Sequence, residues 1–213
     1  MEFTEYVKER LALTLKSGLL CAVILMPATT LAQSPEMVRG DESIDIATAV
    51  EAEDTAASST AASSAEQRKV ARLSKHIQRK YRVSEYKARH IVREAIRNAE
   101  QHRLDPELIL AIIAVESTFR ERAVSRVGAR GLMQVMPRSH ASKVREIGGS
   151  HQLFDPAKNI HVGSRILVNY LRDHRGNLRR ALLKYNGSLG TRSSFPDRVL
   201  RVYRDLRRVT VEG

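Results

Sequence analysis

Apolar residues recur at three- and four-residue spacing through most of the chain after about residue 67, and the strict alternation of a half-buried strand is absent. Val70, Leu73, Ile77 and Tyr81 mark a helix over about 67–81. Ser84 is placed to cap a second, about 85–102, with Ala88, Ile91, Ala95 and Ile96 inward. In Leu104-Asp105-Pro106-Glu107-Leu108 an N-cap acid, a proline at the first helical position and an acid in the first turn open a third helix, which runs to about Ser117. A short helix over about 132–136 and another near 138–147 follow. Asp155 caps a helix of about 157–174, and Arg175-Gly176-Asn177 ends it. Leu178 to Tyr185 and about 196–208 supply the last two. An irregular hairpin around 120–131 is the only strand expected. The pattern predicts an all-α domain with little or no sheet.

The first 66 residues read differently. Lys8, Arg10 and Lys16 precede an uncharged run, Ser17 to Ala32, that ends in Thr-Leu-Ala. A charged head, an apolar centre and small residues before a cut match a secretory signal, with cleavage expected between Ala32 and Gln33. A retained anchor is the alternative, although 16 uncharged residues interrupted by Pro27 fall short of the roughly 20 that a span needs. Cys21, the one cysteine, would leave with the signal. Lipidation is not expected, because Leu20 and not a small residue stands before it. A mature chain without cysteine depends on its packed core. Residues 33–66 contain Thr-Ala-Ala-Ser-Ser-Thr-Ala-Ala-Ser-Ser and little large apolar surface, so an acidic, disordered linker is expected, with one domain over 67–213.

Charge divides the chain at the same place. Residues 33–66 carry one arginine against eight acids, net −7, whereas 67–213 carry 32 Lys and Arg against 13 Asp and Glu, net +19. Such a domain attracts polyanions. Nucleic acid is disfavoured as partner, since the arginines are spread over many helices without a recognised binding motif. An anionic wall or membrane surface fits a secreted protein better.

Candidate chemistry centres on Glu116. Counting back three, four, seven and eight positions reaches Ile113, Ile112, Ile109 and Leu108, so the acid continues an apolar face. Burial there would raise its pKa and leave a carboxylic acid able to donate a proton near neutral pH. The plain alternative is an acid that ends its helix in water or pairs with an arginine. Gly128 and Gly131 then bracket a turn into Leu132-Met133-Gln134, where glycines let backbone approach a ligand and Gln134 can both donate and accept. Tyr185 and Asn186 stand at a helix end, where polar groups can project into a cleft.

Together, in this order and spacing, these segments resemble the soluble-type (SLT) lytic transglycosylases of the goose-type lysozyme-like superfamily, over about residues 104–205. Glu116-Ser117 matches the family's Glu-Ser. Gly128-Ala129-Arg130 followed by Gly131-Leu132-Met133-Gln134 matches its second motif. Lys184-Tyr185-Asn186-Gly187-Ser188 keeps only Tyr-Asn of the usual Ala-Tyr-Asn-Ala-Gly, and Phe195 stands where a tyrosine often opens the last helix. The resemblance implies a lysozyme-like helical fold with N-terminal helices and cleavage of peptidoglycan between N-acetylmuramic acid and N-acetylglucosamine. It also implies a 1,6-anhydro product, with Glu116 as acid and then base. Ser117, Gly131, Leu132, Met133, Gln134, Tyr185 and Asn186 would bind the glycan. If a tyrosine hydroxyl ordinarily steadies the acid, Phe195 withholds it unless Tyr185 supplies it.

One carboxyl suffices when the substrate provides the nucleophile. Glu121, the other acid near the motif, reads as a solvated loop residue. No metal or cofactor is expected, and His140, His151, His161 and His174 show no ligand spacing. With no tryptophan in the chain, Phe119, Phe154, Tyr170 and Tyr185 are the candidates for stacking on sugar. A periplasmic or extracytoplasmic monomer acting on glycan strands is expected, with room for peripheral contact with membrane or envelope machinery. A water-using lysozyme and an inactive wall-binding accessory are the competing readings.

Overall fold

The computed structural model describes residues 46–211, with side chains from Ser63 onward. The expected signal peptide lies outside the described residues. Seven α-helices and one 3-10 turn form a single packed body among them. They are α1 (Ile46–Tyr81), α2 (Glu85–His102), α3 (Pro106–Glu116), α4 (Ala141–Glu146), η1 (Ser150–Phe154), α5 (Pro156–Asp173), α6 (Leu178–Tyr185) and α7 (Phe195–Val211). The class is all-α: no strand forms among the described residues, and the expected hairpin reduces to two isolated bridges, Val124 with Arg130 and Arg130 with Val135.

Helix α3 is the axis of the core. Every residue from Glu107 to Ala114 is buried, so the helix has no polar side. The apolar face inferred behind Glu116 is one sector of a helix enclosed all round, with Leu110 and Ala111 covered as well. Burying a Leu or Ile side chain stabilises by about 1.5–3 kcal/mol, and this helix supplies five of them, Leu108 to Leu110, Ile112 and Ile113. Helices α2 and α7 pack directly on it and α1 packs on those two, so that Leu73 and Ile77 of α1, Ile91 and Ala95 of α2, and Phe195, Val199, Tyr203 and Leu206 of α7 share one core with it. A smaller core of Val135, Val144, Leu153, Val162 and Ile166 joins the loop region to α4, η1 and α5.

Polar contacts fix the register of α3 against its neighbours. The Tyr203 hydroxyl donates to Asp105, and Thr210 Oγ1 donates to Glu107 Oε1 over 3.1 Å. These bonds hold the C-terminal half of α7 at the start of α3. Buried Glu107 is also neutralised by Lys69 Nζ at 2.9 Å, as a carboxylate in that position requires.

Several local expectations are corrected. Residues 132–136 form turns and not a helix, because Gly131 (φ +76°) and Gln134 (φ +47°) leave the helical region while Arg130 and Val135 exchange backbone bonds. The helix expected over 138–147 is confined to Ala141–Glu146, and η1 had no counterpart in the sequence pattern. Ser84 and Asp105 occupy N-cap positions but make no capping bond, the latter because its carboxylate takes the Tyr203 hydroxyl. Asp155 caps as expected, accepting from Lys158 N at 2.9 Å. Helix α1 starts at Ile46, inside the stretch read from composition as linker. Alanine has the highest helix propensity, so a chain with little to bury can still be helical. The first buried side chain among those described is Val70.

Candidate active site

Glu116 is the last residue of α3 and is half-buried. Among the described residues no hydrogen bond or ion pair reaches its carboxyl. Burial raises its pKa from the usual 4.5 to about 7, against the opposing pull of the Arg198 guanidinium. Three other covered carboxylates have cationic partners: Glu107 has Lys69 at 2.9 Å, Glu94 has Arg97 at 3.1 Å and Glu121 has Lys87 at 3.1 Å. Glu121 is thus not a solvated loop residue. Its side chain is 19% exposed and tied to α2, a pairing across 34 residues that local pattern does not reveal.

The chain leaves the acid through a strained turn. Thr118 (φ +51°) and Phe119 (φ +62°) are consecutive non-glycine residues in the left-handed region. Each such residue costs on the order of 1–3 kcal/mol and persists only where its surroundings insist on it. Here Ser117 Oγ donates to Ile113 O at 3.1 Å, Arg120 Nε donates to Ser117 O at 3.0 Å, and the buried Phe119 ring packs on Tyr81 with centroids 4.8 Å apart. The Ser117 hydroxyl is buried and spent on the helix end, and Phe119 is core and not a sugar platform.

The loop facing this region is held by a side-chain hub that the sequence reading missed. Asn159 on α5 is fully buried. Its Oδ1 accepts from Met133 N at 2.8 Å, and its Nδ2 donates to Arg130 O at 3.0 Å and Leu153 O at 2.7 Å. Four residues further along the same helix face, Gly163 lies so close to Met133 that an added Cβ would sit 2.5 Å from its sulfur. Gly131 is equally constrained: a Cβ there would meet Leu153 O at 2.1 Å and Asn159 Nδ2 at 2.2 Å. Gln134 Nε2 donates to Gly131 O at 2.9 Å and Ala123 O at 3.2 Å, closing the turn on itself. The Leu132 and Met133 side chains are buried, so within Gly131–Gln134 the Gln134 side chain and the backbone are what remain to meet a ligand. Within Phe-Asp-Pro-Ala-Lys-Asn-Ile the helix-start signal is plain, but the signal for Asn159 is only a polar residue on the apolar side of an amphipathic helix.

Tyr185 connects the loop with the acid. Its hydroxyl donates to Met133 O at 2.9 Å, so it does not hold the Glu116 carboxyl as its own donor. Its pKa is raised well above 10, chiefly by burial and then by the negative charge of Glu116. Tyr170 meets the Tyr185 ring edge-on at 6.5 Å, and His140 lies 6.3 Å from Tyr170. The partly exposed rings of Tyr170 and Tyr185 form an aromatic wall suited to a sugar face. Phe154 is instead covered by the Arg130 guanidinium at 5.6 Å. Asn186 is exposed just past α6, and its Oδ1 accepts from Ser188 Oγ at 3.3 Å and Ser193 Oγ at 3.4 Å. Phe195 is buried in the core, with Arg198 stacked 6.0 Å from its ring. Among the described residues no group of three or more His, Cys, Asp or Glu is arranged to hold a metal.

The site thus sets one half-buried acid of raised pKa beside a glycine-turned loop and an aromatic wall. Residues 94–195 match the family model described as transglycosylase SLT domain. A transglycosylase of Enterobacteria phage PRD1 is 35% identical over 107 residues, 47% of this chain and 38% of that one. The membrane-bound lytic murein transglycosylase C of Actinobacillus succinogenes is 32% identical over 120 residues, 54% of this chain and 33% of that one. Its counterpart in Edwardsiella ictaluri is 34% identical, covering 50% and 32%. Among solved structures, an inactive mutant of the lytic transglycosylase Slt from Pseudomonas aeruginosa aligns with a TM-score of 0.43 at 28% identity, over 55% of this chain and 21% of that one. The matched region spans about a third of the relatives' own lengths.

Proposed function

We propose that this domain cleaves peptidoglycan glycan strands between N-acetylmuramic acid and N-acetylglucosamine without consuming water. The observation that carries the reading is Glu116: a half-buried acid with a pKa near 7, without an ion-pair partner among the described residues, at the end of their most apolar helix. Near neutral pH it is still substantially protonated and can give its proton to the glycosidic oxygen as the bond to C1 breaks. The resulting carboxylate then takes the proton of the muramic 6-hydroxyl, whose oxygen bonds to C1. A 1,6-anhydro ring forms and Glu116 is protonated again. Hydrolysis by two carboxylates needs a second, ionised acid beside the sugar. The nearest in sequence, Glu121, is engaged by Lys87. The names of the relatives, murein transglycosylases described as membrane-bound, support the substrate and an extracytoplasmic site of action. Among the described residues no helix is long and apolar enough to cross a membrane. Glycan binding is assigned to Gln134, the backbone of Gly131 to Met133, and the Tyr185–Asn186 corner, with the protein acting as a monomer.

Mass spectrometry of digested sacculi tests this. Anhydro-muropeptides are expected. Products with reducing ends would identify a hydrolase, and an absence of released fragments would identify a wall-binding protein.

A further inference from the structure

A groove of about 550 Å³ lies on another part of the molecule, between α1 and the end of α7. Arg72, Lys75, His76, Arg79, Lys80 and Val209 line it. The first five stand at i, i+3, i+4, i+7 and i+8, a single stripe of α1 adjacent to its core face. Val209 is 14 residues beyond Phe195, so at the helical rise of about 1.5 Å per residue the groove's α7 wall is about 20 Å from the end of α7 that meets the acid. Among the described residues no acid lines the groove. Lys80 is partly neutralised by Asp205 at 3.3 Å, and Arg72 reaches the Thr210 carbonyl at 3.4 Å. Among the described residues no carboxylate pairs with Lys75 or Arg79, both exposed. His76 Nε2 is buried without a partner, and burial together with Lys80 and Arg79 lowers its pKa, with Asp205 opposing.

Like charges one turn apart repel, so such a row weakens the free helix and is relieved by a ligand of opposite sign. The charges run from residue 72 to residue 80, about 12 Å of helix, which is longer than one small anion can span. The concave wall favours a strand over a flat surface. We propose that this groove is a second binding site, distinct from the site at Glu116, for a flexible polyanion strand carrying repeated oxyanions. The Arg72 and Arg79 guanidinium groups would take successive oxyanions, with Lys75 between them and Lys80 just beyond Arg79. The proposal does not depend on the catalytic reading.

The test titrates the full chain with short inorganic polyphosphate, orthophosphate and anionic phosphatidylglycerol vesicles at one moderate ionic strength. A double reversal, Lys75→Glu with Arg79→Glu, is compared with a reversal of equal charge on exposed residues elsewhere, Arg145→Glu with Arg172→Glu. Neutral Lys75→Gln with Arg79→Gln serves if the reversal melts early. Polyphosphate binding at least tenfold weaker in the groove variants and within about twofold of wild type in the distant variant is expected. Equal weakening in both would reduce the effect to net charge and overturn the site. Orthophosphate binding as tight as polyphosphate would overturn the strand. Binding to vesicles but not to polyphosphate would replace the strand by a membrane surface.

Discussion

Replacing Glu116 by Gln should abolish turnover and, at the same time, stabilise the protein at alkaline pH. The carboxyl titrates near 7 in the folded chain and near its ordinary 4.5 when unfolded. The folded state therefore binds more protons than the unfolded state between these values, and stability falls as pH rises through that window. At about 1.36 kcal/mol per pKa unit, the penalty above pH 8 approaches about 3 kcal/mol as an upper figure for a half-buried group. Glutamine preserves shape and removes the penalty. The variant should melt with the wild type at pH 4.5 and several degrees above it at pH 8, since 1 kcal/mol corresponds to roughly 2–4 °C for a chain of this size. Paired thermal melts at the two pH values, with muropeptide release assayed on the same samples, make the comparison. Activity itself should fall about tenfold per unit above pH 7 in the wild type, as the protonated acid is depleted. Equal melting shifts at both pH values would refute the buried-acid argument. Retention of more than about a tenth of wild-type release in the variant would remove Glu116 from the chemistry.

Asn159→Ala should cost about 3 kcal/mol by stranding Met133 N, Arg130 O and Leu153 O, and Asn159→Asp should lose activity while keeping the bond to Met133 N; melts and release assays read both. Gly131→Ala should cost about 3 kcal/mol or more, because its Cβ would lie 2.1 Å from a backbone oxygen at a φ of +76°; a variant melting within a degree of wild type would contradict that packing. Tyr185→Phe should cost about 1 kcal/mol by uncovering Met133 O and should lower release without moving the alkaline limb of the pH profile, since the hydroxyl donates to the loop and not to Glu116. A fragment beginning at Asp105 should not fold, as it loses Leu73, Ile77, Ile91 and Ala95 from the core and strips Glu107 of Lys69; circular dichroism would decide.

The sequence alone determined most of the helices and singled out the acid, because both are local matters. Apolar spacing, Pro106 and Asp155 mark where α3 and α5 begin, and Glu116 is conspicuous as the only charge after a long apolar run. Depth of burial was not local. A one-sided stripe and a helix enclosed all round read alike until α1, α2 and α7 are in place, and only their cover turns Glu116 into an acid near pH 7. The glycine motif marked a turn but not its role. Gly131 and Gly163 are required by atoms of Leu153, Asn159 and Met133, up to 30 residues away in the chain, which spacing cannot report. For the same reason spacing could not show that the Leu132 and Met133 side chains are buried. Asn159 looked like an ordinary helix residue and holds the loop, and Glu121 looked solvated and is paired. A backbone hydrogen bond to a distant side chain depends on which helices pack together, and that is decided by the whole core at once.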